Sequence, residues 1–98
     1  MTEKHHHGEA LTQLAKCRDE IEKIDNDLIA LLSRRLALGS EIGNLKRAEG
    51  MPILDPTREA AVIRRVTESA RAASLPVEPI REIFWQIVGM SRRAQEGK

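Results

Sequence analysis

The sequence predicts an all-α fold of three helices, of which the first is much longer than the other two. All four prolines lie in two short segments, residues 50–56 and 75–79, and they leave three long segments uninterrupted. Aromatic residues make up only 2% of the chain, as Phe84 and Trp85. A core built from Leu, Ile, Val and Ala favours packed helices over a β-sandwich.

The first segment carries apolar residues at a heptad spacing from about Leu11 to Ala48, with Gly39 and Gly43 as its weak points. A helix of about 38 residues is ~57 Å long, whereas a compact domain of this size has a radius of gyration of about 13 Å. The shorter helices cannot cover such a seam, so we expect an intertwined, antiparallel helical homodimer. The two heptad positions hold Leu14, Ile21, Leu28 and Ile42, and Cys17, Ile24, Leu31, Leu38 and Leu45.

The second helix is predicted to begin at Asp55-Pro56, since Asp caps free backbone N–H groups and Pro suits the first helical position. The third is predicted to begin near Pro79. Each has one apolar stripe with polar interruptions. The stripes are Glu59, Val62, Ile63, Val66, Ala70 and Ala73, and then Ile80, Ile83, Phe84, Ile87, Val88, Ser91 and Gln95.

The N-terminal segment, residues 1–10, is polar and contains the adjacent His5, His6 and His7. Adjacent histidines bind metal only with further ligands, and the segment lacks them. We therefore expect a disordered or tag-like tail, followed by a single helical domain over residues 11–98.

The composition excludes several classes of protein. The 16 basic and 15 acidic residues give a formal charge of +1, which does not resemble a nucleic-acid-binding protein. No apolar run approaches the roughly 18 residues of a membrane span, and no signal peptide is evident. The single Cys17 excludes an intrachain disulfide and suits a reducing cytosol. We expect a soluble cytoplasmic protein without membrane or nucleic-acid partners.

Polar residues occupy positions where the helical patterns require apolar ones. Arg35 lies on the heptad seam, Lys46 points the same way eleven residues later, and Arg18 flanks the seam. Each residue alone suits a register-fixing polar position or an interhelical salt bridge. Together, however, the cations on these faces outnumber the anions. This surplus indicates an anionic ligand such as a dicarboxylate.

The positions of the cations along the first helix constrain such a site. Arg18 and Arg35 are separated by ~25 Å of helix axis, and Lys46 lies a further ~16 Å away. One small ligand cannot reach all three on one chain. An antiparallel partner would supply its own Arg18 to the other end, which predicts two composite sites per dimer.

These residues, in this order, resemble the all-helical class of chorismate mutase, in its short bacterial form. The resemblance covers about Leu11 to Gln95 without insertion or deletion. Each motif alone is weak, but their common order and spacing make a strong signal. The motifs are Leu14-x3-Arg18-x2-Ile21-x2-Ile24-Asp25, Ala30-Leu31-Leu32-x2-Arg35, Gly43-x2-Lys46, Asp55-x2-Arg58-Glu59 and Ser91-x3-Gln95.

The resemblance implies the rearrangement of chorismate to prephenate in Phe and Tyr biosynthesis, with no cofactor or metal. Arg35 and Ser91 would bind one substrate carboxylate, and Arg18 of the partner subunit would bind the other. Lys46 would contact the second carboxylate and the ether oxygen, to which Gln95 would also donate. A Claisen rearrangement requires a held conformation and stabilised charge, and no nucleophile.

The resemblance also implies roles at the edge of the pocket. Glu59 would accept from the ring hydroxyl with Asp55 nearby, and Arg58 would add positive field. Asn44 and Thr57 stand where the family often has charged residues, although neither is a contact position there.

Three alternatives compete with this interpretation. An isochorismate-pyruvate lyase shares the fold and part of the pocket, but its pattern has an apolar residue where this chain has Glu59. A non-catalytic helical dimerisation module would explain the seam but not the polar interruptions on all three helices. A DNA-binding helical protein fits the charge balance least.

Overall fold

The computed structural model describes residues 2–97, with side chains from Gly8 onwards. Three helices run in chain order: α1 (Thr2–Ala48), α2 (Pro56–Ala72) and α3 (Val77–Gln95). No strand occurs within the described range. The predicted all-α fold with a long first helix is therefore confirmed.

Two helix starts differ from the sequence prediction. α1 begins at Thr2 rather than near Leu11, because the segment before Leu11 contains no proline and a helix, once nucleated, extends readily. α3 begins at Val77, two residues before Pro79. Proline is tolerated in a first helical turn, where its missing N–H has no helical partner.

The segment expected to be a tail is thus helical in its backbone over residues 2–10. The side chains of the adjacent histidines, His5, His6 and His7, lie outside the described residues, as does Met1. Metal binding by these histidines is therefore not tested. The assignment of this segment as a tail or tag stays a prediction.

The chain divides into two compact units, residues 1–33 and 34–98. The first unit consists of the N-terminal part of α1, and none of its described side chains is buried. Its large apolar residues are substantially exposed, from 44% for Leu14 to 67% for Ile29, with the exception of the partly buried Leu32. From Gly8 to Ser33, this unit therefore forms no hydrophobic core of its own.

The second unit holds the hydrophobic core. Val62, Ile63 and Val66 of α2 pack with Val88 of α3, and the partly buried Phe84 packs against them. α2 begins as predicted, with the Asp55 side chain accepting from the backbone N–H of Arg58 at 3.0 Å and Pro56 in the first turn. This core fixes α2 and α3 against each other.

The C-terminal part of α1 approaches α3 at two buried glycines. A Cβ atom on Gly43 would lie 2.6 Å from the Cα of Gln95, and one on Gly39 would lie 3.2 Å from the carbonyl oxygen of Ser91. Glycine permits such an approach because it has no side chain. The two weak points of the heptad pattern are therefore the contact surface for α3.

We expect Gly43→Ala to lower the free energy of unfolding by ~1–3 kcal/mol, the usual cost of overpacking. The added methyl group meets backbone atoms of Gln95, which cannot rotate away. Urea unfolding followed by circular dichroism measures the change.

Gly89→Ala is the matched control for this substitution. A Cβ on Gly89 would meet only the Arg93 guanidinium, at an ordinary 3.7 Å. Alanine should therefore raise the free energy of unfolding by roughly 0.5–1 kcal/mol through helix propensity alone. Equal effects of the two substitutions would contradict the proposed close packing at Gly43.

Candidate functional site

The second unit contains a cavity of about 360 Å³ between the end of α1, the first half of α2 and the second half of α3. All of the predicted site residues except Arg18 line it. The apolar part of its wall comes from Leu38, Ile42, Val62 and Val88. The predicted polar residues in the wall are Arg35, Lys46, Asp55, Arg58, Glu59, Ser91 and Gln95.

Arg35 is half-buried in the cavity wall and donates a hydrogen bond to the Ser91 hydroxyl. Burial lowers the pKa of Arg35, and the positive charges of Arg65 and Arg58 lower it further. A guanidinium nevertheless stays protonated in proteins. Arg35 is therefore a cation that has a neutral partner and lies in a positive field, and both features favour an incoming anion.

Lys46 and Gln95 form the second polar group of the cavity. The Lys46 ammonium donates to the Gln95 side-chain oxygen at 2.8 Å and to the carbonyl oxygen of Ile53 at 2.9 Å. An ammonium has three protons, so one remains for a ligand. Because the amide oxygen of Gln95 is occupied by Lys46, its NH₂ group is the part left to donate.

The end of α3 is held by Arg47, which the sequence analysis did not single out. Its guanidinium donates to the backbone carbonyl of Gln95 and, at 2.7 Å, to the side-chain oxygen of Asn44. Asn44 thus orients Arg47, and Arg47 in turn holds the residue that carries a predicted site amide. The contact between Asn44 and Arg47 could have been predicted from their i, i+3 spacing, because residues at that spacing are neighbours on a helix.

Glu59 has a partner that sequence reasoning also missed. Arg92 donates through Nε to one carboxylate oxygen at 2.7 Å and through Nη2 to the other at 2.5 Å. The hydrogen bond and the charge of Glu59 raise the pKa of the Arg92 guanidinium. Glu59 lines the cavity, whereas Arg92 does not. No sequence signal pairs residues on different helices.

Asp55 and Arg58 lie at the exposed edge of the cavity. One carboxylate oxygen of Asp55 accepts a hydrogen bond from the backbone N–H of Arg58, so Asp55 caps the start of α2. Arg18 is exposed in the first unit and is not among the residues that line the cavity.

Within the described residues, no group of three or more His, Cys, Asp or Glu side chains is arranged to hold a metal ion. None of the described helices is both long enough and apolar enough to cross a membrane. The cavity thus presents an ammonium, guanidinium groups, a hydroxyl and an amide to a small polar ligand.

Residues 17–96 match the family described as chorismate mutase type II. The chain belongs to this family. The match includes every predicted site residue, Arg18 among them, and the resemblance stated from the motifs is confirmed at the level of the family.

Individual relatives agree with the assignment to the chorismate mutase type II family. The chain is 31% identical over 88 residues to a T-protein of Enterobacter agglomerans, covering 90% of this chain and 24% of that protein. It is 34% identical over 56 residues to a chorismate mutase of Methanocaldococcus jannaschii, covering 57% of each. The chain thus spans about a quarter of the T-protein and little more than half of the archaeal enzyme.

A solved structure of a conserved hypothetical protein from Pyrococcus furiosus is similar with a TM-score of 0.70 and 39% sequence identity. The alignment covers 86% of this chain and 96% of that one. The helical architecture is therefore shared with an independently determined structure.

Proposed function

We propose that this chain catalyses the rearrangement of chorismate to prephenate, a step of Phe and Tyr biosynthesis. The observation that carries the proposal is a cavity in which Arg35 and Lys46 both have neutral partners, a hydroxyl and an amide. Two cations whose partners among the described residues are neutral suit, at one cavity, a substrate with two carboxylates. The volume of about 360 Å³ lies within the range of small-molecule pockets, roughly 300–1,000 Å³.

The proposed carboxylate site joins Arg35 and Ser91. The Ser91 oxygen accepts from Arg35, so its own proton is available to a second acceptor. A guanidinium N–H and a hydroxyl then converge on one substrate carboxylate. With the other substrate carboxylate held as well, the enolpyruvyl arm would be kept over the ring. Such orientation lowers the barrier of a unimolecular reaction.

The proposed catalytic pair is Lys46 and Gln95. As the C–O bond of the substrate breaks, negative charge develops on the ether oxygen. The remaining ammonium proton of Lys46 and the amide N–H of Gln95 would both donate to it. Donors fixed in advance by protein contacts stabilise such charge without reorganising during the reaction.

The remaining residues complete the proposed site. Glu59 accepts from the ring hydroxyl of the substrate, and Asp55 lies close to the start of the same helix. Arg58, exposed at the cavity edge, adds positive field that attracts a dianion.

The proposed functional unit is an antiparallel homodimer in which Arg18 of the partner subunit binds the second carboxylate. Exposure of the heptad residues supports a second copy as the missing cover, since Ile21, Ile24 and Leu31 are each more than half exposed. Contiguous apolar surface of this kind marks an interaction site. The proposed location is the cytosol, for which the unpaired Cys17 is the support.

The direct test is to add purified protein to chorismate without any cofactor. We expect chorismate absorbance to fall and prephenate to appear, because the cavity supplies only orientation and electrostatic stabilisation. Salicylate and pyruvate formed from isochorismate would support the lyase instead. No reaction with either substrate would leave the dimerisation module as the better interpretation.

Lys46→Ala should lower kcat by on the order of 10² to 10³, or about 3–4 kcal/mol, the usual effect of removing one such donor. The melting temperature should barely change, since Lys46 is only half-buried and alanine is a good helix former. Steady-state kinetics and thermal unfolding measure the two effects.

Lys23→Ala is the matched control, because Lys23 is exposed on α1 and does not line the cavity. The same chemical change there should leave kcat unchanged. A kcat close to that of the parent in Lys46→Ala would contradict the proposed catalytic role of Lys46 and Gln95.

Mixing Arg18→Ala and Arg35→Ala chains tests whether a site is shared between subunits. Each heterodimer would hold one site with both arginines and one with neither. Random exchange should therefore restore activity to roughly a quarter of the parent, far above either variant alone, if the dimer is symmetric. Mass spectrometry of tagged chains verifies exchange. Absence of recovery after verified exchange contradicts the shared site.

A further inference from the structure

The negative charge of Glu59 opposes the binding of an anion in this cavity. Its carboxylate lines the same cavity as Arg35 and Lys46. A carboxylate that turned towards either cation would pair with it and occupy the position of an anionic ligand. The affinity of the cavity for an anion thus depends on where the Glu59 carboxylate is held.

Arg92 holds this carboxylate from outside the cavity. Both carboxylate oxygens accept from the same guanidinium, at 2.7 Å and 2.5 Å. Two parallel hydrogen bonds fix the plane of a carboxylate as well as its position. The Glu59 side chain is 17% exposed and that of Arg92 is 34% exposed, so solvent reaches the pair mainly on the arginine side.

The chain position of Arg92 suits this task. Arg92 directly follows Ser91, the hydroxyl partner of Arg35, on α3. The helix therefore presents one residue to the cavity and the next to the outer side of Glu59. The packing of α2 on α3 brings the two charged groups together across 33 positions of sequence.

We propose that Arg92 is a positioning residue: it binds Glu59 from outside the cavity and keeps that carboxylate from neutralising Arg35 and Lys46. The inference rests on the proposed function, since it assigns to Arg92 an effect on the binding of a dianionic substrate. Arg92 itself does not touch the substrate. It acts by removing an internal competitor for the cations.

A salt bridge with a purely structural role predicts a different result. Salt bridges at this degree of exposure contribute little to folding, so removing one would change thermal stability slightly and leave KM unchanged. In the proposed role, removing Arg92 raises KM because the released Glu59 competes with substrate. Removing the charge of Glu59 in the same chain then relieves the competition.

The experiment compares KM and kcat for chorismate in the parent, Arg92→Met, Glu59→Gln and the double variant. We expect KM to rise roughly tenfold in Arg92→Met, the factor that ~1.4 kcal/mol of binding free energy gives. In the double variant KM should return to near the value for Glu59→Gln alone, although kcat stays low if Glu59 contacts the ring hydroxyl. Arg92→Lys, which keeps the charge but not the paired hydrogen bonds, should be intermediate.

Arg93→Met is the matched control, because Arg93 is the next residue of α3, is exposed and does not line the cavity. It loses the same charge and should keep the parent KM. Equal KM values in Arg92→Met and Arg93→Met would overturn the assignment. So would a raised KM that Glu59→Gln does not relieve.

Two further outcomes are distinguishable from these. A parent chain that turns over no chorismate overturns the proposed function, and the role of Arg92 with it. If Arg92→Met does not fold, Arg92→Lys with and without Glu59→Gln replaces it. A parent-like KM in Arg92→Lys would then count against the proposal, because a single point charge does not fix the carboxylate plane.

Discussion

The close approach of α1 to α3 is the constraint on which the site depends. Gly39 meets the backbone at Ser91, and Gly43 meets the backbone at Gln95, so the two helices touch at matching steps of four residues. Four residues are about one helical turn, which keeps all four contact points on facing sides. The contact brings the Ser91 hydroxyl to Arg35 and the Gln95 amide to Lys46. The two glycine contacts between these helices thus fix both polar pairs of the cavity.

The cavity remains positive because its carboxylates are engaged elsewhere. Asp55 accepts from the backbone at the start of α2, and Glu59 is held by Arg92. Arg35 and Lys46 are left with neutral partners, and the pKa of Arg35 is lowered by burial and by neighbouring cations. An isolated buried charge is costly, so this arrangement gains most when an anion enters. The partly buried positive charges that oppose folding are the same ones that favour binding of an anionic ligand.

The sequence predicted those features that depend on local patterns. Heptad spacing predicted α1, and Asp55-Pro56 predicted the start of α2, because caps act within a few residues. The heptad template treated Gly39 and Gly43 as weak points, since it describes one face of the helix and not the packing of another. The contact of Arg47 with Gln95 and that of Arg92 with Glu59 escaped notice because the partners lie 48 and 33 positions apart. Contacts of that kind depend on how the helices pack, which no local pattern encodes.

In the proposed dimer, the exposed seam would link the stability of the first unit to the proposed site. Most of the stability of helices in proteins comes from packing of an apolar face, and none of the described side chains in residues 8–33 is buried. Burial of the seam against another surface would supply stability to this unit. In the proposed dimer that surface is the same helix of a second copy, and the copy that buries the seam also contributes Arg18. Folding of the first unit and completion of the site would then be one equilibrium, set by the concentration of protomers. In the proposed dimer, the long helix that buries its apolar seam against a second copy would also place Arg18 of one chain at the cavity of the other.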